Sequence, residues 1–327
     1  RTTKQLAEID DVLADAAIYL KDPARAADLG QKRIKAPAAV EKVSTQWQGV
    51  LILRGQEPVN LPCLWATRVA VPGGALYELA GNVEAVLKDY APVRLGMYES
   101  EKGGVFSETL EFFGFVLNRI SEPVPVLRAP LYDYLAVSRH MFSSKTGDFV
   151  VSTPDGKNHF GAILNIKEYT DGTWPGILNG LKYLDFEYVI THSFSPMGRQ
   201  DALKVLDRTK GMMISSGDKA VSQIAELDHA MDQVASGNFV LGEYHFILTL
   251  YAEDQQRLSH NIAVARAELS NAGFVSAKED LAVCSSFYSQ LPGNWRYRTR
   301  LANVSSLNFL GLSPLHNFAT GKRDNNP

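Results

Sequence analysis

Cysteine is scarce in this chain of 327 residues, which has two, Cys63 and Cys284. No C-x-x-C pair exists and no disulfide framework beyond one bridge can be built, which fits a reducing compartment. Neither thiol has a partner base in the sequence, so both are expected to be small core residues. An apolar run of about 18 residues is also lacking, so no helix of this sequence is expected to span a bilayer. There is little net charge of either sign: 33 Lys and Arg stand against 36 Asp and Glu, a balance of −3. That supplies no global attraction to nucleic acid or anionic lipid. Seven histidines, His140, His159, His192, His229, His245, His260 and His316, include no pair at metal-ligand spacing. Phosphate loops are missing too. The Gly-Lys pair Gly321-Lys322 has His316 where a Walker A loop needs Gly and Arg323 where it needs Ser or Thr. No G-x-G-x-x-G follows a strand and no G-x-S-x-G occurs. Arg1-Thr2-Thr3 shows neither an initiator Met nor a signal-peptide pattern, and both termini are expected to be cuts in a longer protein.

What is present is ordinary for a globular chain: 45% hydrophobic and 21% charged residues. The length allows two domains and a sizeable core. Leu6, Ile9, Val12, Leu13, Ala16 and Leu20 fall at helical spacing. Strands are expected at 49–53 and 65–71, a break at Pro72-Gly73-Gly74, a helix over 76–90, a strand over 93–98 and a helix over 106–120. Residues 122–130 carry three prolines and read as extended. The second half is more regular. It reads as a strand at 159–166, a short helix capped by Thr173 with Pro175 in its first turn, and a strand at 186–195. A long polar helix interrupted by Gly211 and Gly217 ends at Ser236-Gly237-Asn238. A strand at 239–252 alternates around Tyr244, Phe246, Leu248 and Leu250. An amphipathic helix over 253–271 is closed by Gly273, and a short strand and a helix at 281–290 follow. The expected class is α/β (mixed α+β), with mixed sheets and helices packed on them in two subdomains. Residues 1–74 form an unassigned N-terminal region of helix plus strands. A small α/β subdomain covers 75–145, a larger one 146–290, and 291–327 is a linker.

Residues 289–318 hold turn formers and three cations, Arg296, Arg298 and Arg300, with little that reads as regular structure. A stretch of about 30 irregular residues is uncommon inside a compact domain and is usually functional or a linker. Trp295 and Tyr297 interleave with the arginines, a pattern that suits single-stranded nucleic acid; a solvated or carboxylate-paired face explains the same residues. His192 and His245 lie on strands, where a core or rim position accounts for them as well as a cleft does. Glu168 can pair with Lys167. Glu279-Asp280 opens a helix, where carboxylates complement the dipole. No complete catalytic constellation emerges.

As an ordered set, several motifs carry more. They are Ile166-Lys167-Glu168-Tyr169 with Thr173 and Pro175-Gly176, then Thr191-His192-Ser193-Phe194, then Ser216-Gly217-Asp218 with Ser222-Gln223 and Ala235-Ser236-Gly237. Gly242-Glu243-Tyr244-His245, Ser289-Gln290-Leu291-Pro292-Gly293-Asn294, and Ser305 to Phe309 with His316-Asn317-Phe318 follow in order. Residues 75–327 thereby resemble the N-terminal (CagE/TrbE/VirB) domain of the type IV secretion and conjugation ATPase family. Two departures are Tyr244, where the family commonly has His, and Cys284-Ser285-Ser286-Phe287, where an acidic-aromatic run is common. The resemblance implies a docking and oligomerisation domain of a motor that powers channel or pilus assembly and transfer of DNA or protein. It implies a peripheral place on the cytoplasmic face of the bacterial inner membrane. Implied partners are inner-membrane subunits of the secretion system and further copies of the chain in a hexamer or related assembly, with the long polar helix and sheet edges carrying subunit contacts. No cofactor is expected in these residues; ATP and Mg belong to a C-terminal ATPase domain beyond the linker. The alternative is a nucleic-acid-binding module using Arg296, Arg298 and Arg300, and a third reading is a self-contained small-molecule enzyme.

Overall fold

A computed structural model describes residues 48–56, 62–70, 73–86, 93–101, 103–129, 131–215, 221–292 and 294–313. The helix expected over 3–20 lies outside these residues. At the start, β1 (Gln48–Gln56) pairs antiparallel with β2 (Pro62–Ala70), from Gln48 opposite Ala70 to Gln56 opposite Pro62. Helix α1 (Gly73–Val86) follows, and β3 (Val93–Arg94) joins the free edge of β1.

The strand expected over 93–98 is broken. After β3 the chain leaves the first sheet and forms β4 (Met97–Glu99) with β5 (Val105–Ser107). The break sits at Gly96, whose N–H donates to the Glu108 carboxylate at 2.7 Å and whose carbonyl accepts from the Glu108 N–H at 3.0 Å. Ser107 caps helix α2 (Glu108–Asn118), accepting from the Leu110 N–H. Arg119 ends the helix in the left-handed region at φ 59°, a conformation that few non-glycine residues adopt.

The main sheet is antiparallel throughout. After the short α3 (Leu131–Tyr134), β6 (Arg139–Ser143) pairs with β7 (Asp148–Ser152), and β7 with β8 (Asn158–Glu168). Strand β10 (Leu241–Ala252) lies beside β8 over Ile247–Asn165 to Ala252–Phe160, and its other edge is paired along its length with β9 (Tyr188–Pro196). Two short late strands fill gaps. β11 (Val275–Lys278) pairs with the end of β8, and β12 (Ala302–Ser305) pairs with the start of β10. The architecture is therefore mixed α and β, as the alternating patterns imply. The expected boundary at 145/146 falls in the turn joining β6 to β7.

Alternation on β10 builds two cores. Tyr244, Phe246, Leu248 and Leu250 meet Leu164 and Ile166 of β8 and Leu258, Ala265 and Leu269 of α6 (Gln255–Asn271) on one face. Asp254 caps α6 through the Arg257 N–H. Ile247 and Tyr251 face the opposite way, with Ile163, Phe149 and Val151, under Leu110, Phe113 and Leu117 of α2 and Phe287 of α7 (Val283–Tyr288). Each such fully buried side chain stabilises by about 1.5–3 kcal/mol. Phe149 lies with its ring over Gly161, its register partner on β8, where a Cβ would collide with the ring. A third, smaller cluster ties the hairpin of α4 (Arg199–Ser215) and α5 (Val221–Ser236) to the start of β10 through Ala202, Leu206, Val234 and Leu241.

Three local expectations differ. Thr173 caps no helix; its hydroxyl donates to the Asn308 carbonyl at 3.2 Å, and a 3-10 turn forms later, at Asn179–Tyr183. Cys284 is exposed rather than in the core. Residues 289–313 are more regular than their turn formers suggest. A 3-10 turn at Trp295–Tyr297, β12 and helix α8 (Ser306–Leu312) all form there. Ser305 is both the last residue of β12 and the N-cap of α8, accepting from the Asn308 N–H.

Candidate functional site

The arginine segment lies against a polar band on the α2-covered face of the sheet. β10 places Glu243 and His245 on that face, directly opposite Ser195 and Ser193 of β9. Arg298 reaches into this band. Its guanidinium donates to Ser195 Oγ at 3.0 Å, Ser193 Oγ at 3.4 Å and the Glu243 carboxylate at 3.4 Å. Nε bonds the Trp295 carbonyl at 3.1 Å, folding the side chain back over its own turn. Only 8% of the Arg298 side chain is exposed. Burial pulls its pKa below the ordinary arginine value and Glu243 opposes that; the group stays cationic because arginine starts so high.

Neighbouring contacts continue the attachment. Thr299 accepts from Asn165 Nδ2 through its hydroxyl at 3.2 Å and meets Ser286 Oγ at 2.9 Å. Ser285 donates to the Tyr297 carbonyl at 2.8 Å. Arg300, at φ 49°, places Nε 2.5 Å from Glu279, whose carboxylate is 3% exposed. Glu279 therefore serves as the buried counter-ion of Arg300 rather than as a helix-opening charge, since α7 begins later, at Val283. Arg296 is exposed and makes no ion pair among the described residues. The three cations thus point three ways: one into the sheet, one onto a buried carboxylate and one to solvent.

Of the two strand histidines, one is fully buried and the other half-buried. His245 is fully buried, and neither ring nitrogen has a partner among the described residues. Its pKa is pushed down to about 4, first by burial, then by Arg298 and His192. His192 sits on the opposite face, 2.7 Å from the Tyr244 hydroxyl, and burial takes it to about 4 as well. Burial holds Tyr244 well above its usual range, so the phenol donates and the neutral imidazole accepts. Glu168 pairs with Lys167 at 3.3 Å on the surface.

Such an arrangement anchors a segment; it does not pair a nucleophile with a base. Among the described residues no group of three His, Cys, Asp or Glu could hold a metal ion. The chain's sequence carries no Walker A loop. Sequence reasoning found the three arginines and missed Glu243, Ser193, Ser195 and Glu279 as their partners. The signal was the alternation of β10, which puts Glu243 and His245 on the face opposite Tyr244.

Comparison with known proteins gives the chain its relatives. The sequence model of the "CagE, TrbE, VirB family, component of type IV transporter system" matches residues 93–300, which run from β3 to Arg300. The type IV secretion system protein virB4 of Brucella melitensis is 40% identical over 258 residues, covering 77% of this chain and 31% of that protein. PtlC of Bordetella pertussis, also named a type IV secretion system protein, is 37% identical over 273 residues, 84% of this chain and 33% of its own length. VirB4 of Bartonella henselae is 34% identical over 249 residues, 76% of this chain and 31% of that protein. The chain thus spans about a third of the length of these relatives. With the family's sequence model matching well over half of its residues, the chain belongs to the CagE, TrbE, VirB family of type IV transporter components.

Proposed function

We propose that this chain is the N-terminal docking and oligomerisation domain of a type IV secretion ATPase, a motor that powers channel or pilus assembly and transfer of DNA or protein. The observation that carries the reading is the 40% identity to a virB4 protein over 77% of this chain but 31% of the relative. A relative three times as long has room for a separate motor. In this reading ATP and Mg bind elsewhere in the longer protein. The domain sits peripherally on the cytoplasmic face of the inner membrane, contacts inner-membrane subunits and assembles with further copies of itself, in a hexamer or related form. Among the described residues no helix is long and apolar enough to cross a membrane.

The test is recruitment. The tagged 327-residue chain, expressed with and without the inner-membrane subunits of a type IV system, is followed by membrane fractionation and site-specific crosslinking. Membrane association that depends on those subunits supports the proposal. A chain that stays in the soluble fraction in both strains, and crosslinks to none of them, overturns its docking part.

A further inference from the structure

Strand β9 is an unguarded edge. Only β10 pairs with it among the described elements. Its sequence, Tyr-Val-Ile-Thr-His-Ser-Phe-Ser-Pro, contains no Lys, Arg, Asp or Glu over nine residues. Natural sheets blunt their edges with charge, short strands, bulges or Pro, because a bare row of N–H and C=O groups pairs with another chain. The opposite edge of the same sheet follows that rule: β6 has five residues and opens with exposed Arg139. On β9 such protection is confined to Pro196, at the very end.

The register tells which groups face outward. Met197 N–H bonds the Leu241 carbonyl and Tyr251 N–H bonds the Glu187 carbonyl, and these pairs continue the β9–β10 register by one residue at either end. Odd-numbered residues of β9 therefore point their backbone groups at β10, and Ile190, His192 and Phe194 point theirs away from the sheet. Their side chains lie on the core face, where Ile190 and Phe194 are half-buried and Phe194 stacks on Phe309 at 4.8 Å.

We infer that the outer edge of β9 pairs antiparallel with β9 of a second copy of this chain, joining two main sheets into one. The strand is complementary to itself. A two-fold axis through His192 sets Ile190 opposite the second copy's Phe194, apolar on apolar, and Thr191 opposite its Ser193, a favourable hydroxyl pair on the other face. It also brings the start of one strand to the end of the other. Exposed Asp185 precedes β9 and exposed Arg199 follows it; among the described residues neither makes an ion pair. The same axis brings the end of the strand that leads into Arg199 in each copy beside the end preceded by Asp185 in the other, charges of opposite sign. An isologous contact of this kind closes as a dimer. The inference rests on the self-assembly part of the proposed function and gives it a surface.

Sedimentation velocity of the 327-residue chain over a concentration series tests it, with circular dichroism as the folding control. The wild-type chain is expected to dimerise. Thr191→Lys, whose backbone bonds to β10 are retained, is expected to raise the dimer Kd about tenfold or more by placing a charge on the new rung. Arg199→Glu weakens the dimer in the same direction, and adding Asp185→Arg in the same chain restores it; this surface pair decides the matter if Thr191→Lys does not fold. Wild-type self-association unaffected by these changes overturns the β9 contact and leaves self-assembly standing on another surface. A wild-type chain that is monomeric at every concentration overturns the inference, while the membrane experiment judges the docking reading separately.

Discussion

At the scale of single residues, burial decides the chemistry of this sheet more than charge pairing does. His192 and His245 are held neutral, each with a pKa of about 4, against about 6.5 for an unfolded histidine. Both folded values are depressed, so between about pH 6.5 and about 4 the unfolded chain binds protons that the folded chain refuses. Their contribution is complete above the unfolded value and is lost as pH falls towards the folded one. Each is worth up to roughly 3 kcal/mol, and the two do not simply add because they interact with one another and with Arg298. The urea midpoint is expected to fall steeply between pH 7 and pH 5. His245→Leu should flatten that slope while changing stability at pH 7 by less than about 1.5 kcal/mol, because no hydrogen bond among the described residues is lost. An unchanged slope in this variant would show that His245 does not titrate as its burial demands.

Elements differ in how far their own sequence specifies them. β10 and α6 were legible because alternation at Tyr244, Phe246, Leu248 and Leu250, and helical spacing closed by Gly273, are local signals. β6 and β7 were not legible: they are short, half-polar and preceded by the prolines of 123–130. β12 and α8 were missed for another reason. Ala302 to Ser305 becomes a strand because the start of β10 has an open edge beside it, which no local pattern reveals. The arginine segment shows the same limit within the candidate site. Its cations stand out in the sequence, but their partners lie 105, 55 and 21 residues away at Ser193, Glu243 and Glu279. Arg298→Ala tests whether this segment is clamped. It strips three side-chain acceptors of a buried cation, and should cost about 1.5–3 kcal/mol. Amide exchange should rise through 291–300, with β10 staying protected. Uniform exchange across both would mean that the segment unfolds only with the sheet.

The whole molecule from α2 onward behaves as one sheet with two covered faces, and this sets what can be cut away. Leu110, Phe113 and Leu117 of α2 lie before residue 146, yet they cover Phe149, Ile163 and Ile247, which lie after it. β6 also precedes that point and pairs with β7 along its length. Removing everything before 146 would expose several large side chains on one face, at about 1.5–3 kcal/mol each. That sum is comparable to the roughly 5–15 kcal/mol that keeps a domain folded. A chain of residues 146–327 is therefore expected to lose near-ultraviolet circular dichroism, bind a hydrophobic dye and melt without a sharp transition. A chain of residues 93–327, which keeps α2 and β6, should melt cooperatively. If 146–327 instead gave a native near-ultraviolet spectrum and a single sharp transition, α2 would be a separable cover. The division at 145/146 read from the sequence would then mark a true unit rather than a turn inside the sheet.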